Sequence, residues 1–291
     1  MRPRSVGILA ALAAAASFAG VNVAARFVLV DGLQPLWLVA FTYAGGGLAM
    51  LPFARRARLA PRERPRMALV VAAGAIAAPI LLFFGLARTG AADASLLLNL
   101  EMGATALLAF LVLGERLRGR EALGAGLLAL GAIAVSLGSG ARGGTTALGA
   151  LLVAGAACLW AVDNAASAPL ARVHDPRGLI ALKTLSGGVA VLLAALLLAG
   201  PPGGRPRDWL LALAAGLVGV ALSSVLFYVA LGRVGATRTT VLFATNGLFG
   251  VGLAALLLGE PLTWYHAAAT ALSIAGLLAV GSSEGIRKEV K

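Results

Sequence analysis

Residues 110–121 read FLVLGERLRGRE and residues 255–266 read ALLLGEPLTWYH. Each is an apolar run that breaks at Gly-Glu, passes a leucine two residues on, and restarts. Arg116, Arg118 and Arg120 follow the first break, whereas no basic residue follows the second before Arg287. A shift of 145 residues extends the echo without a gap. It lays Arg88, Gly90 and Ala91 on Arg233, Gly235 and Ala236, Ser95 on Thr240, and Gly131 on Gly276. A shift of 142 aligns SFAGVNVA with LWAVDNAA, placing Phe18 on Trp160 and Asn22 on Asn164. The chain reads as two related halves, 1–142 and 143–291.

Of the 291 residues, 60% are hydrophobic and 12% charged, with a mean hydropathy of +0.93. Soluble domains carry about a quarter charged residues, so this composition points to a chain that crosses a membrane repeatedly. Ten apolar runs cover residues 6–30, 34–54, 66–87, 92–114, 121–139, 146–171, 178–199, 208–231, 237–258 and 264–281. Their lengths suit helices, since about 20 residues span the hydrocarbon. Their unbroken Ala/Leu character lacks the alternation of a lipid-facing strand. The basic, small-residue start resembles a signal peptide, but its apolar run continues to residue 30 and reads as a retained first span.

With the N-terminus inside, eighteen of the 24 basic residues fall in inner segments and four in outer loops. That asymmetry places both termini in the cytoplasm of a plasma (inner) membrane protein. Five spans per half is an odd number, so the halves enter the membrane from opposite sides. The two Gly-Glu turns then lie on opposite faces, and the arginines follow only the inner one. Inverted repeats of this kind accompany alternating access, with a site near the midplane where the halves meet.

The paired openings FAGVNVAARF and LWAVDNAASA, and the paired closings LGERL and LGEPL, resemble the EamA family of the drug/metabolite transporter superfamily over roughly residues 5–282. The resemblance implies an all-α fold of ten membrane helices and export of small metabolites such as amino acids. Bacterial exporters of aromatic amino acids, the YddG type, are similar in size and layout. One departure is SFAG in the first half, where many family members carry Trp-Gly.

Polar groups inside spans face the bundle interior or a cavity, because lipid exposure is costly. They outline a substrate path: Asn22 and Arg26 on span 1, Phe83 on span 3, Asn99 and Glu101 on span 4. Span 6 carries Trp160, Asp163, Asn164 and Ser167 as a single stripe, span 8 Phe227 and Tyr228, and span 9 Phe243 and Asn246. Asn22 and Asn164 read equally as a lining pair or as a structural pair bridging helices. The aromatics read as packing or as stacking surface. Glu101, Asp163 and Arg26 carry the charge, and two arrangements are open. Either Arg26 pairs with Asp163 across the halves, or a carboxylate such as Glu101 carries a proton. Lys183 reads as a snorkelling residue, and Glu115 and Glu260 as holding helix ends together.

The same residues argue against other classes. Cys158 stands alone and His174 and His266 lie far apart, so neither a disulfide framework nor a metal site is expected. GGG at 45–47 and GSGARGG at 138–144 lack P-loop spacing, leaving gradients as the drive and no cofactor. No nucleophile–base pair is in view for an enzyme. RRARLAPRERPR at 55–66 reads as an inner loop near lipid headgroups rather than a nucleic-acid site. The expected partners are therefore a small-molecule substrate and the lipid bilayer. Gly and Ala on spans 5 and 10 suit either a monomer or a homodimer.

Overall fold

The computed structural model describes residues 3–113, 119–140, 145–171, 173–234, 239 and 242–283. Among them all regular structure is helical, the form in which a chain in lipid satisfies its backbone without water. The helices are α1 (Pro3–Val30), α2 (Pro35–Met50), α3 (Arg64–Val70), α4 (Ala78–Leu86), α5 (Ala91–Leu97), α6 (Leu100–Leu113) and α7 (Gly119–Gly140). They continue as α8 (Ala147–Ala171), α9 (Pro176–Leu198), α10 (Pro206–Ala215), α11 (Ser223–Val234), α12 (Asn246–Leu258) and α13 (Trp264–Ser283). Prolines open α2, α9 and α10, where the missing N–H costs nothing. Among the described residues, seven helical stretches are long and apolar enough to cross a membrane, and α12 and α13 supply shorter apolar helices. The chain is a multi-span membrane protein. Leu151, Leu197, Leu198 and Leu256 on its flanks stand well exposed, as lipid-facing leucines would.

Two of the long stretches are interrupted in the same way. A π-helical turn at Val71–Ala77 joins α3 to α4, and another at Gly216–Leu222 joins α10 to α11. They lie 145 residues apart, the register of the sequence echo. Pro79 explains the first: it cannot donate to the carbonyl four residues back, and a wider turn relieves the clash. Ser224 holds the equivalent place in the second, and its hydroxyl donates to the Val220 carbonyl at 2.6 Å.

The packing partners recur in the same pairs. Helix α1 lies against α11 and α12, as α8 lies against α4 and α6. Helices α2 and α9 pack together, and each also touches a π turn, α2 the second and α9 the first. Helices α7 and α13 form a further pair. Small residues let these backbones approach. A Cβ on Gly216 would sit 1.8 Å from the Thr42 carbonyl oxygen, and one on Gly45 would sit 2.1 Å from that of Leu213. Phe83, expected on the substrate path, is 2% exposed within the central apolar core beside Leu82 and Leu86. It packs among apolar neighbours.

The Gly-Glu turn acquires a physical role here. Gly259 ends α12 with φ +67°, a left-handed conformation that favours glycine. The reversal aims Glu260 at the start of α5, where its carboxylate accepts the N–H groups of Ala91 at 2.8 Å and Ala92 at 2.9 Å. Those are unpaired helix N-terminal donors, and an anion suits them. Glu260 thus holds the end of α12 to the start of α5, a joining of helix ends as the sequence suggested. Its counterpart Glu115 lies outside the described residues. Nearby, Asp93 is buried and accepts from Ser139 and Thr145, and its other oxygen lies 2.9 Å from His266 Nε2. His266 Nδ1 accepts the Thr263 N–H at 3.1 Å, which leaves the ring proton on Nε2, facing Asp93.

At the opposite end the turn between α8 and α9 is held by Asp175. Its carboxylate caps α9 by accepting the Arg177 N–H at 2.9 Å and pairs with Arg56 at 3.2 Å. Partial burial works against its ionisation, but the Arg177 N–H and the Arg56 guanidinium outweigh it and hold the carboxyl below its ordinary range. A lowered folded-state value means that the stabilisation is complete above the unfolded aspartate pKa of about 3.9 and disappears as pH falls through the lower folded one. Asp175→Ala should therefore destabilise the detergent-solubilised protein by about 1 kcal/mol at pH 7. The gap between variant and parent should start to narrow only below about pH 4 and go on narrowing as the pH falls further; a gap that stays constant throughout the acid range would sink this account of the cap.

Candidate functional site

The interruption in α3–α4 has a consequence at the centre of the molecule. Widening the turn leaves the Gly74 carbonyl available to side chains, and two take it: Tyr43 Oη at 2.9 Å and Trp160 Nε1 at 3.0 Å. Gly74 also lacks the Cβ that would lie 2.1 Å from an Asp163 oxygen, so the carboxylate of α8 can seat against the turn. Beside this junction lies a cavity of about 230 Å³. Its wall draws on both halves of the chain: Phe18, Tyr43, Met67 and Glu101 from the first, Trp160, Asp163, Asn164, Lys183, Phe227, Tyr228 and Phe243 from the second. Met67, Leu170 and Leu179 carry it toward the end of the bundle that holds Asp175.

Three charged groups meet in that wall. Asp163, 3% exposed, is ion-paired with Lys183 of α9, and Glu101 Oε1 accepts from Asn164 Nδ2 at 2.8 Å. Two carboxylates thus face one ammonium. Around them runs an aromatic surface: Phe18 meets Trp160 edge-on at 5.9 Å, and Phe243 contacts both Phe18 at 5.6 Å and Phe227 at 5.2 Å. Four helical segments share this cluster, a geometry worth roughly 0.5–1.5 kcal/mol per pair beyond area burial.

The stripe read on span 6 is present, with Trp160, Asp163, Asn164 and Ser167 all on the cavity wall, joined there by Glu101, Phe227, Tyr228 and Phe243. Four of the other candidates lie elsewhere. Asn22 is 1% exposed and donates to Ser95 Oγ at 3.2 Å, and Asn99 donates to Ser273 Oγ at 3.1 Å. Asn22 joins α1 to α5, and Asn99 joins the turn between α5 and α6 to α13. Asn246, 9% exposed, begins α12 away from the cavity, and Phe83 belongs to the core.

Arg26 does not pair with Asp163. It donates to the Leu86 carbonyl at 3.1 Å, at the end of α4. Depth decides this: Arg26 lies one turn from the end of α1, whereas Asp163 lies well inside α8. Lys183, expected to snorkel, takes the aspartate instead. It stands seven residues past the start of α9 and Asp163 eight before the end of α8. Two antiparallel helices joined by a short turn bring such positions side by side. Counting residues from that turn is the signal that would have found the pair. Tyr43 carried no such signal, because its role depends on a carbonyl freed by a turn in another helix.

Gly74→Ala should push Asp163 off the turn, at a cost of about 1–3 kcal/mol for overpacking. A lowered melting temperature of the Gly74→Ala protein relative to its parent is the expected result. A Gly74→Ala protein as stable as its parent would show that the close approach is unimportant.

Known proteins bear on this site. The model of the EamA-like transporter family matches twice, over residues 5–137 and 147–282. An uncharacterized transporter of Methanothermobacter thermautotrophicus (strain Delta H) is 28% identical over 266 residues, covering 84% of this chain and 77% of its own. A protein of known crystal structure shares the fold with a TM-score of 0.69 at 21% identity, covering 95% of this chain and 97% of the other. With both of its halves matched by that family model, the chain belongs to the EamA-like transporter family: it is a membrane transporter for a small-molecule substrate, not an enzyme.

Proposed function

We propose that the protein is a secondary transporter that exports small metabolites, foremost amino acids including aromatic ones, across the plasma (inner) membrane. The central cavity carries this reading. It is lined by both halves and offers aromatic surface together with one ammonium and two carboxylates. Such a lining suits a solute with an apolar body and a polar head. The halves, 1–142 and 143–291, act as two five-span repeats of opposite orientation, ten spans in all, with both termini cytoplasmic. The π turns 145 residues apart, the recurring helix pairs and the doubled family match support that arrangement.

Alternating access follows as rocking of one half against the other. In the arrangement seen, the cavity extends toward the arginine-rich end, while Glu260 and Arg26 tie helices together near the other. On this reading the carrier is open to the cytoplasm and latched outside. Glu101 is the proton-carrying group, since its carboxyl faces the cavity bonded to a neutral amide, while the nearby Lys183 is ion-paired with Asp163.

Proteoliposomes loaded with single amino acids, nucleosides or cationic drugs should show saturable counterflow for amino acids. Flux that never saturates would favour a channel, and silence from every amino acid would remove the substrate class. Glu101→Gln should abolish uptake driven by a pH gradient while leaving counterflow intact; unchanged dependence on the gradient would dismiss the carboxylate as coupling group. For the topology, single cysteines at positions 58 and 205 on a Cys158→Ser background should react with impermeant reagents from opposite sides. Labelling of both from one side would break the inverted arrangement.

A further inference from the structure

Lys183 is the one cation among the described residues of the cavity wall, and it is spent on Asp163. The two partners are unequal. The Asp163 side chain is 5% exposed and that of Lys183 23%, so the ammonium is the partner that a solute meets first. The pair is also incomplete. Asp163 Oδ1 is buried with no hydrogen-bond partner, although a buried carboxylate oxygen normally has one. Asp163 lines the cavity, so that oxygen can accept a donor from a solute.

We infer that Lys183 and Asp163 form an exchangeable ion pair, and that the substrate is recognised by taking it apart. A carboxylate on the solute accepts from the Lys183 ammonium, and a cationic group on the same solute donates to the freed Asp163. One internal pair becomes two, and no charge is left alone. The inference rests on the transport reading and narrows it to solutes bearing both signs of charge, with Lys183 as the residue that sets specificity. The logic is all-or-none. An amine without a carboxylate cannot draw Lys183 away, so its cation finds Asp163 occupied and has only Glu101, already bonded to Asn164. An N-acylated acid draws Lys183 away but strands Asp163 as a buried lone charge, the costliest state. Sites built on such contacts reject analogues that lack a group far more strongly than apolar pockets reject a missing methylene.

The test compares a zwitterionic aromatic amino acid with its carboxamide, its decarboxylated amine and its N-acetyl derivative in counterflow with the full chain. The parent protein should prefer the zwitterion over each analogue by at least roughly tenfold, the scale of one charge-assisted hydrogen bond. The double variant Asp163→Asn/Lys183→Met removes both charges together and leaves neither stranded. It should still move the carboxamide, with the preference for the zwitterion reduced to less than about threefold. Lys183→Arg, which keeps the charge, should retain the preference. A double variant that still favours the zwitterion tenfold would overturn the inference, as would a parent protein that exchanges all four solutes alike. Ligand-induced thermal shifts of the parent protein give the same comparison without any substitution: stabilisation by the zwitterion alone supports the exchange, and equal stabilisation by the carboxamide defeats it. If none of the four solutes counterflows and none shifts the melt, the transport reading fails and this one with it. Exchange that ignores the carboxylate defeats only this one.

Discussion

In hydrocarbon a backbone carbonyl without a donor has no water to fall back on, and the centre of this molecule is organised around one such group. The π turn at Val71–Ala77 withdraws the Gly74 carbonyl from the helical ladder. Tyr43 of α2 and Trp160 of α8 supply the donors that the bilayer cannot. Those two hydrogen bonds pin three segments to one point. The absence of a side chain at Gly74 brings Asp163 to the same point, and the aspartate brings Lys183. The cavity wall is the outcome of satisfying a single freed carbonyl.

The two ends of the bundle are held by the same chemistry in different hands. At one, Glu260 reaches from the turn after α12 to the unpaired N–H groups of α5. At the other, Asp175 caps α9 and holds Arg56 of the basic segment. Each is a carboxylate at a helix N-terminus, favoured by the partial positive charge there. Neither belongs to the cavity, yet each joins elements that any rocking of one half on the other would move. Surface contacts of this strength can be broken and remade at modest cost, which a transport cycle requires.

Much of the cavity was legible in the sequence because helical periodicity is a one-helix property. Trp160, Asp163, Asn164 and Ser167 recur at i, i+3, i+4 and i+7, and any helix through them carries a polar stripe. That the stripe meets Glu101, Phe227, Tyr228 and Phe243 is a consequence of polar and aromatic faces turning away from lipid. Readings that required a partner on a distant helix fared differently. A pairing of Arg26 with Asp163 is one of two arrangements open in the sequence, but the depth of Arg26 in α1 gives it the Leu86 carbonyl. Asn22, Asn99 and Asn246 looked the same as Asn164 in the sequence, and only packing assigned the first two to Ser95 and Ser273 and placed the third away from the cavity. An asparagine between helices and one on a cavity wall satisfy the same local rule.

The sequence by itself determined that the chain is helical, apolar and repeatedly membrane-spanning, because composition and run length leave lipid as the only solvent that suits it. It also determined the doubling, since a register of 145 residues needs no coordinates to be seen. Tertiary structure alone decided which carbonyl the π turn would free, which cation would neutralise Asp163, and which asparagines would be structural. Those outcomes depend on the depth and facing of side chains on separate helices, and hydropathy along one helix carries no information about its neighbour's height in the bundle.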